Sequence, residues 1–170
     1  MGENRLLVVE DDADQRRLVA DILRGNAFNV AEAGTVEEAR QQLDSGPIDL
    51  VLSDWQLPDG DGMVLFEDVQ KKFPEVAFVL VTAYGTISHA VNAVRAGVDD
   101  YLTKPFERQA LLLSVERTLT ARRLRTENRR LTEALQDLDQ LVDLVGKAPS
   151  MQRLFRRVEK IAGTNATVLI

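Results

Sequence analysis

Residues 6–12 read Leu-Leu-Val-Val-Glu-Asp-Asp, four apolar residues followed by three acidic ones. A short continuous apolar run is typical of a strand that is buried on both faces. Four apolar residues then recur at helical spacing before Gly25, namely Leu18, Val19, Ile22 and Leu23. The stretch therefore predicts a buried strand, an acidic loop and a helix.

The same alternation of strand and helix repeats over about the first 120 residues. Further strands are expected at Asn29–Ala33, Leu50–Leu52, Val76–Val81 and Asp100–Leu102. Helices are expected near Val36–Leu43, Val64–Lys72 and Ile87–Ala96, and from Glu107 onwards. Aliphatic strands separated by helices predict a parallel sheet with helices on both faces. We therefore expect an α/β, flavodoxin-like fold with five strands in the order 2-1-3-4-5.

Composition limits the classes of function. The chain has 170 residues, a formal net charge of -6, no cysteine and a single histidine, His89. Disulfides, zinc–thiolate sites and histidine metal clusters are therefore excluded, and the negative charge disfavours nonspecific binding to nucleic acid. The first residues lack the apolar core of a signal peptide, and no apolar run is long enough to span a bilayer. We expect a cytoplasmic protein without membrane contact.

Acidic residues follow two of the predicted strands. Asp11 and Asp12 come after the first strand, and Asp54 comes after the third. Ligands of open parallel sheets bind beyond the carboxyl ends of the strands, where these side chains should meet. Converging carboxylates repel one another, and a hard divalent cation with oxygen ligands relieves that repulsion. Mg²⁺ is the expected cofactor.

Thr82 and Lys104 follow the fourth and fifth strands and add a hydroxyl donor and a cation at the same edge. Together with a metal they could cradle a tetrahedral anion. Phosphoryl transfer needs this combination, because the protein mainly positions the reactants and neutralises charge on the equatorial oxygens. Asp54 is the candidate nucleophile.

These residues resemble the receiver domains of response regulators, which have a CheY-like fold. The matching segments are Val8–Asp12, Ser53-Asp54, Leu57-Pro58, Asp61-Gly62, Val81–Ala83 and Tyr101–Phe106. The resemblance implies that Asp12, Asp54 and the backbone carbonyl of Gln56 ligate Mg²⁺, while Asp11 acts through a metal-bound water. Thr82 and Lys104 would hold the phosphoryl oxygens.

The resemblance also implies a mechanism of signalling. A sensor histidine kinase would donate the phosphoryl group, and the protein would catalyse its own phosphorylation and slow dephosphorylation without being a turnover enzyme. Thr82 would then move toward the phosphoryl group and Tyr101 would follow inward. The Lys104-Pro105 peptide bond is expected to be cis, which costs little before proline.

The segment after the receiver, residues 121–145, has apolar residues at steps of three and four. The apolar positions are Leu124, Leu131, Leu135, Leu138, Val142 and Val145, and the polar Asn128 occupies the step between the first two. This spacing predicts a coiled-coil linker helix, and a polar Asn128 at a core position favours a two-stranded register. We expect a parallel homodimer through this helix.

Residues 146–170 resemble the start of the AAA+ ATPase domain of NtrC-type sigma-54-dependent activators. An amphipathic helix with Met151, Leu154 and Ile161 precedes a strand-like run at Thr167–Ile170. The chain is expected to be cut before the phosphate-binding loop of that domain. The implied partners are its own AAA+ domain and, through missing C-terminal domains, DNA and the RNA polymerase that carries sigma-54. Whether phosphorylation relieves inhibition or builds the ATPase ring is left open.

Other interpretations compete at individual residues. Asp11 and Asp12 could be helix N-cap acids. Asp59–Gly62 looks like a calcium loop, but Gln70 stands where a bidentate glutamate is needed, so turn chemistry is favoured. An aspartate-nucleophile phosphohydrolase usually has a second aspartate at the position of Gln56. A receiver that acts by contacts alone, or a nucleotide-binding flavodoxin-like module, are the remaining alternatives.

Overall fold

The computed structural model describes residues 4–83 and 87–147, together with Met151, Arg153 and Arg156. The chain divides into two compact units, residues 1–125 and residues 126–170. Met151, Arg153 and Arg156 are helical. The rest of the predicted amphipathic helix and the predicted strand at 167–170 lie outside the described residues.

The described residues of the first unit form seven strands. In chain order they are β1 (Arg5–Val9), β2 (Asn29–Ala33), β3 (Leu50–Asp54), β4 (Gln56–Leu57), β5 (Gly60–Asp61), β6 (Ala77–Thr82) and β7 (Asp100–Thr103). Five of them form a parallel sheet in the order β2-β1-β3-β6-β7. Once the two-residue strands are left out of the count, this is the predicted order 2-1-3-4-5, and the flavodoxin-like fold is confirmed. The antiparallel pair β4-β5 was not predicted.

Apart from the helical Met151, Arg153 and Arg156, the residues that the structure describes form five helices. They are α1 (Ala13–Arg24), α2 (Val36–Ser45), α3 (Gly62–Lys72), α4 (Ile87–Ala96) and α5 (Arg108–Lys147). The last helix has 40 residues, of which residues 126–147 belong to the second unit. The predicted C-terminal helix is therefore present, whereas its pairing as a coiled coil stays a prediction. None of the described helices combines the length and apolar character that a membrane crossing requires.

The central strands are buried on both faces because alternate side chains point to opposite sides of the sheet. Leu7, Val51 and Phe78 pack on one side with apolar residues of α2, α3 and α4. Leu6 and Val79 pack on the other side with apolar residues of α1 and α5. Two layers of helices thus cover both faces of the sheet and leave the ends of its strands to polar residues.

Three of the described helices are N-capped by a side-chain oxygen. Asp12 accepts hydrogen bonds from the amides of Asp14 and Gln15 at the start of α1. Thr35 and Asp61 cap α2 and α3 in the same way. These caps satisfy amide groups that have no partner inside a helix. They also fix where each loop at the carboxyl edge of the sheet ends.

Asp59 adds a second, long-range cap to α2. Its two carboxylate oxygens accept hydrogen bonds from the amides of Val36 and Glu37, at 2.8 and 3.0 Å. The turn between β4 and β5 is thereby tied to a helix more than twenty residues earlier. Turn chemistry at Asp59, the interpretation that the sequence favoured, agrees with these contacts.

We expect Asp59→Ala to lower the free energy of unfolding by about 1 kcal/mol at pH 7, the usual effect of losing a helix cap. Burial opposes ionisation, but the two amide hydrogen bonds outweigh it and lower the pKa of Asp59. A lowered pKa in the folded state means that the stabilisation exists at neutral pH and is lost as the pH falls through that pKa. Urea unfolding of both proteins at several pH values measures the difference.

Asp59→Asn is the control for this prediction, because its amide oxygen can still accept a hydrogen bond while its charge is gone. We expect it to lose less stability than Asp59→Ala and to show no acid-dependent loss at this position. Equal stability of Asp59→Ala and the wild type at pH 7 would contradict the role of Asp59 as a cap.

Candidate functional site

The candidate site lies at the carboxyl edge of the parallel sheet. Asp54 is the last residue of β3 and Thr82 is the last residue of β6, whereas both were expected just beyond their strands. Val9 ends β1 and is paired with Ser53, so that Glu10 follows beside Asp54. Lys104 follows β7. The register of four adjacent strands therefore brings these polar residues to one edge.

Three carboxylates form the acidic part of the site. Oxygens of Glu10, Asp11 and Asp54 all lie within 4.8 Å of one another. Glu10 is 6% exposed, Asp54 is partly buried and Asp11 is open to solvent. Such a set of hard oxygen donors, partly open to water, is the kind of site that suits Mg²⁺. Glu10 belongs to the Val8–Asp12 motif but was not among the residues predicted for the site.

In the part of the chain that the structure describes, Asp12 does not belong to this group of three carboxylates. Its Oδ1 accepts two amide hydrogen bonds at 2.9 Å and caps α1. Hydrogen bonds from these amides lower the pKa of Asp12, the amide of Gln15 having the largest effect. The position of the strand end explains the difference from the sequence expectation. Since β1 stops at Val9, the pair at the sheet edge is Glu10 and Asp11, one residue earlier than expected.

Lys104 joins two of the carboxylates. Its Nζ atom donates to Oε2 of Glu10 and to Oδ2 of Asp54, each at 2.5 Å. Burial alone would lower the pKa of Lys104, but the hydrogen bonds and charges of its two partners outweigh burial and raise it. Lys104 is therefore a fixed ammonium group between two acids.

For Glu10, burial and a neighbouring negative charge act against ionisation. Burial raises the pKa of Glu10, the hydrogen bond from Lys104 lowers it, and the charge of Asp54 raises it further, with a net rise. The Lys104 ammonium therefore does not offset burial and the charge of Asp54 together. An additional cation at this edge would stabilise their ionised forms.

The backbone around Asp54 is held by several hydrogen bonds. The amide of Trp55 donates to the carbonyl of Val81 at 2.7 Å, and the amide of Gln56 donates to Oδ1 of Asp54 at 3.2 Å. Ser53 Oγ donates to the carbonyl of Asp54 at 2.9 Å. The loop that carries the candidate nucleophile is thus fixed on both sides of it.

Gly62 approaches the same loop too closely for any side chain. Its amide donates to the carbonyl of Trp55 at 2.8 Å. A methyl group at Gly62 would overlap the carbonyl of Asp54 and the side chain of Leu80. Only glycine allows α3 to begin here, and this requirement explains the Asp61-Gly62 segment of the motif.

Thr82 and Tyr101 lie on adjacent strands. Thr82 is buried, and Tyr101 is partly buried with a hydroxyl group that forms no hydrogen bond of ordinary geometry. Burial raises the pKa of the Tyr101 phenol, and the nearby Thr82 side chain offsets part of the rise. An unsatisfied buried hydroxyl is unfavourable, so this Tyr101 conformer is held by the packing of its ring.

The Lys104-Pro105 peptide bond is cis, as predicted. The amide of Lys104 donates to the carbonyl of Thr82 at 2.7 Å, which fixes the start of this loop on β6. A cavity of about 440 Å³ lies beside the loop and reaches Glu10, Asp54 and Lys104, with apolar walls that include Leu18 and Phe106. Asp54 is therefore accessible from outside through a mainly apolar opening.

Known proteins with similar sequences were compared with the chain. The family model for the response regulator receiver domain matches residues 6–116. The response regulator protein PilR of Pseudomonas aeruginosa is 35% identical over 170 residues, which is all of this chain and 36% of PilR. The DNA-binding transcriptional regulator NtrC of Proteus hauseri is 29% identical over 170 residues, 100% of this chain and 35% of NtrC. The chain thus spans about a third of the length of these relatives.

A solved structure resembles the first part of the chain. The beryllofluoride-activated NtrC4 receiver domain dimer has a TM-score of 0.66 and 25% sequence identity. The alignment covers 69% of this chain and 98% of that one. The similarity to this solved structure therefore extends over one whole receiver domain.

Proposed function

The chain belongs to the response regulator receiver domain family, and we propose from this premise that Asp54 accepts a phosphoryl group from a sensor histidine kinase. The observation that carries the proposal is the contact of Lys104 with both Asp54 and Glu10 at the sheet edge. This contact supports phosphoryl chemistry because an ammonium group next to a carboxylate nucleophile can neutralise a transferring phosphoryl group. The protein acts as a phosphoryl acceptor rather than a turnover enzyme.

The reaction we propose is an in-line displacement at phosphorus. A carboxylate oxygen of Asp54 forms the new P–O bond while the bond from phosphorus to the donor's imidazole nitrogen breaks. The products are an acyl phosphate on Asp54 and neutral histidine on the kinase once the imidazole has taken up a proton. Lys104 and the Thr82 hydroxyl neutralise and bind the equatorial oxygens, and the amide of Gln56 holds Asp54 in place.

We propose that Glu10, Asp11, Asp54 and the carbonyl of Gln56 hold Mg²⁺. The three carboxylates supply the oxygen ligands that the ion prefers, and their mutual proximity supports this set. Mg²⁺ neutralises negative charge on the carboxylates and the phosphoryl oxygens when it is bound. Asp12 as a direct ligand stays a prediction from the family resemblance, and its role in capping α1 argues against it.

Thr82 and Tyr101 are the proposed switch. Thr82 ends β6 at the site, and the Tyr101 hydroxyl is buried without a hydrogen bond. A phosphoryl group that attracts the Thr82 hydroxyl would free space next to β7, and the Tyr101 ring could then pack further inward. The energy of this change is supplied by the new bond from Thr82 to the phosphoryl oxygens.

We propose that the domain controls an NtrC-type activator dependent on sigma-54. The resemblance of residues 146–170 to the start of an AAA+ domain supports this proposal, as does alignment with NtrC over the full 170 residues. The partners in that setting are the AAA+ domain and, through it, DNA and RNA polymerase. In the same setting we propose a receiver domain over residues 1–120, a coiled-coil linker helix over residues 121–145 and the start of an AAA+ domain over residues 146–170.

A homodimer through the linker helix completes the proposal. Leu124 is 65% exposed and Leu131 is 56% exposed, which is unfavourable for large apolar side chains without a partner. The two positions are seven residues apart in the sequence, the repeat of a coiled-coil seam. The similar NtrC4 receiver structure is itself a dimer.

The first test is covalent modification. Incubation with Mg²⁺ and acetyl phosphate should add one phosphoryl group to the wild type, measured by intact mass. Asp54→Asn should take up none, because its amide is not a nucleophile, and a chelator should also prevent the adduct. Asp44→Asn, which changes an exposed acid on α2, should react like the wild type. Equal labelling of Asp54→Asn would overturn the assignment.

The second test asks whether Asp11 or Asp12 is the metal ligand next to Asp54. We expect Asp11→Asn to weaken Mg²⁺ binding by at least about tenfold, because it removes a carboxylate from the cluster. Asp12→Asn should bind nearly as well as the wild type, since asparagine also caps helices and no cluster ligand is lost. Mg²⁺ titration followed by the fluorescence of Trp55, next to Asp54, measures both. The reverse ranking would restore Asp12 as the ligand.

The third test concerns the dimer. Light scattering should give twice the monomer mass for the wild type, and Leu131→Asp should lower it by burying a charge in the seam. Asn128→Leu should strengthen or broaden association, because it replaces the polar core residue. Glu133→Gln, at an exposed position outside the seam, should leave the mass unchanged. A monomeric wild type would contradict the proposal.

A further inference from the structure

Arg16 lies behind the acidic loop and does not take part in the chemistry proposed above. Its Nη1 donates to the carbonyl oxygen of Glu10 at 2.5 Å and lies 3.4 Å from the carbonyl oxygen of Asp11. Both contacts are with the main chain of the two residues whose carboxylates belong to the cluster. The guanidinium group therefore contacts the backbone of the acidic loop and not its carboxylates.

The second partner of Arg16 is on the neighbouring strand. Its Nε lies 3.6 Å from Oε2 of Glu32 in β2. Glu32 is paired in the sheet with Val8, two residues before Glu10. One planar group thus connects the acidic loop to a residue fixed by the sheet, and the Arg16 side chain is 21% exposed.

The backbone leaves room for this bridge. A methyl group at Gly34 would lie 3.2 Å from Nη1 of Arg16, closer than ordinary van der Waals contact. The amide of Glu10 meanwhile donates to the carbonyl of Ala33 at 3.0 Å. The loop is therefore fixed to β2 by a backbone hydrogen bond at one atom of Glu10 and by Arg16 at another.

We propose that Arg16 is a positioning residue that holds the Glu10–Asp11 backbone so that both carboxylates face Asp54. This inference rests on the proposed function of the site. Like charges on Glu10, Asp11 and Asp54 push the loop outward, and the hydrogen bonds from Arg16 to its carbonyls oppose that movement. A planar guanidinium can bind carbonyl oxygens and a carboxylate at once, which a lysine ammonium does less well.

Arg24 offers a matched control on the same helix. It also pairs with Glu32, at 2.7 Å, and it donates to the carbonyl of Val30 at 3.0 Å. Among the described residues, the polar contacts of Arg24 are with Val30, Glu32 and Asp21, none of which belongs to the acidic loop. Replacing Arg24 therefore removes a guanidinium and an ion pair with Glu32 while leaving the backbone of Glu10 and Asp11 held.

The experiment measures Mg²⁺ affinity by Trp55 fluorescence and the Mg²⁺ dependence of phosphorylation by acetyl phosphate. We expect Arg16→Gln to weaken Mg²⁺ binding by about tenfold, the usual effect of losing a group that orients metal ligands. The phosphorylation rate should return close to that of the wild type at saturating Mg²⁺, since Arg16 does not touch the reacting atoms. Arg24→Gln should stay within about twofold of the wild type in both measurements.

Arg16→Lys tests whether geometry or charge is responsible. It should remain at least about threefold weaker than the wild type for Mg²⁺, because one ammonium cannot replace the guanidinium bridge. Full rescue by lysine, unchanged affinity of Arg16→Gln, or equal loss in Arg24→Gln would each overturn the inference. If the wild type itself neither binds Mg²⁺ nor accepts a phosphoryl group, the proposed function fails first, which is a different result.

Discussion

The repulsion among three carboxylates at one edge of the sheet is the constraint on which the site depends. Parallel strands in register bring Glu10, Asp11 and Asp54 within 4.8 Å, and Lys104 is the cation that joins two of them. The free energy needed to hold these charges together comes from elsewhere, from the buried strands and the helices on both faces. A stable core thus maintains an edge that is electrostatically unfavourable without a further cation.

Strand β6, which carries Thr82 of the site, is paired with the last strand, β7, which carries Tyr101. Thr82 ends β6, and Tyr101 lies on β7 at the outer side of the sheet. Leu80 is paired with Tyr101 across these strands, and its side chain also lies against the position of Gly62, beside Asp54. A change at Asp54 therefore has a short, packed path to the last strand. Such a path would give the switch that we propose at Thr82 and Tyr101 a physical basis, because packed cores rearrange between discrete states.

Much of the fold could be predicted from the sequence because its central strands are mostly aliphatic and its helices have clear ends. The sequence also predicted that Asp11, Asp54, Thr82 and Lys104 would meet at one end of the sheet, where the structure places them, while their roles stay predictions. Glu10 was not proposed, and Asp12 lies outside the group of three carboxylates. Which of these two acids reaches the site depends on where β1 ends, at Val9. An apolar run followed by three acids does not determine that position. The β4-β5 pair has only two residues in each strand, so no alternating pattern exists to reveal it. The contacts of Arg16 join residues of a loop and a neighbouring strand, which periodicity along the chain does not report.

The opposite edge of the sheet shows why the chemistry is confined to one end. Asp99, before β7, accepts hydrogen bonds from the amide of Phe78 and from Arg122 and Arg125, at 2.9 to 3.0 Å. Asp49, before β3, accepts one from the amide of Arg5 at 2.7 Å. The Asp99 carboxylate is thus paired with one backbone amide and two arginines, and the exposed Asp49 holds the backbone of Arg5, so both stabilise the fold.

At the carboxyl edge the same type of side chain has a different balance of partners. Glu10 and Asp54 share the single ammonium of Lys104, and Asp11 faces solvent. Since the acids at the two ends are chemically alike, the number of cations and amides around each one determines its role. Carboxylates such as Asp99, which is paired with amides and arginines, hold strands in place, whereas the less compensated group at the carboxyl edge is the one we propose to hold a metal ion.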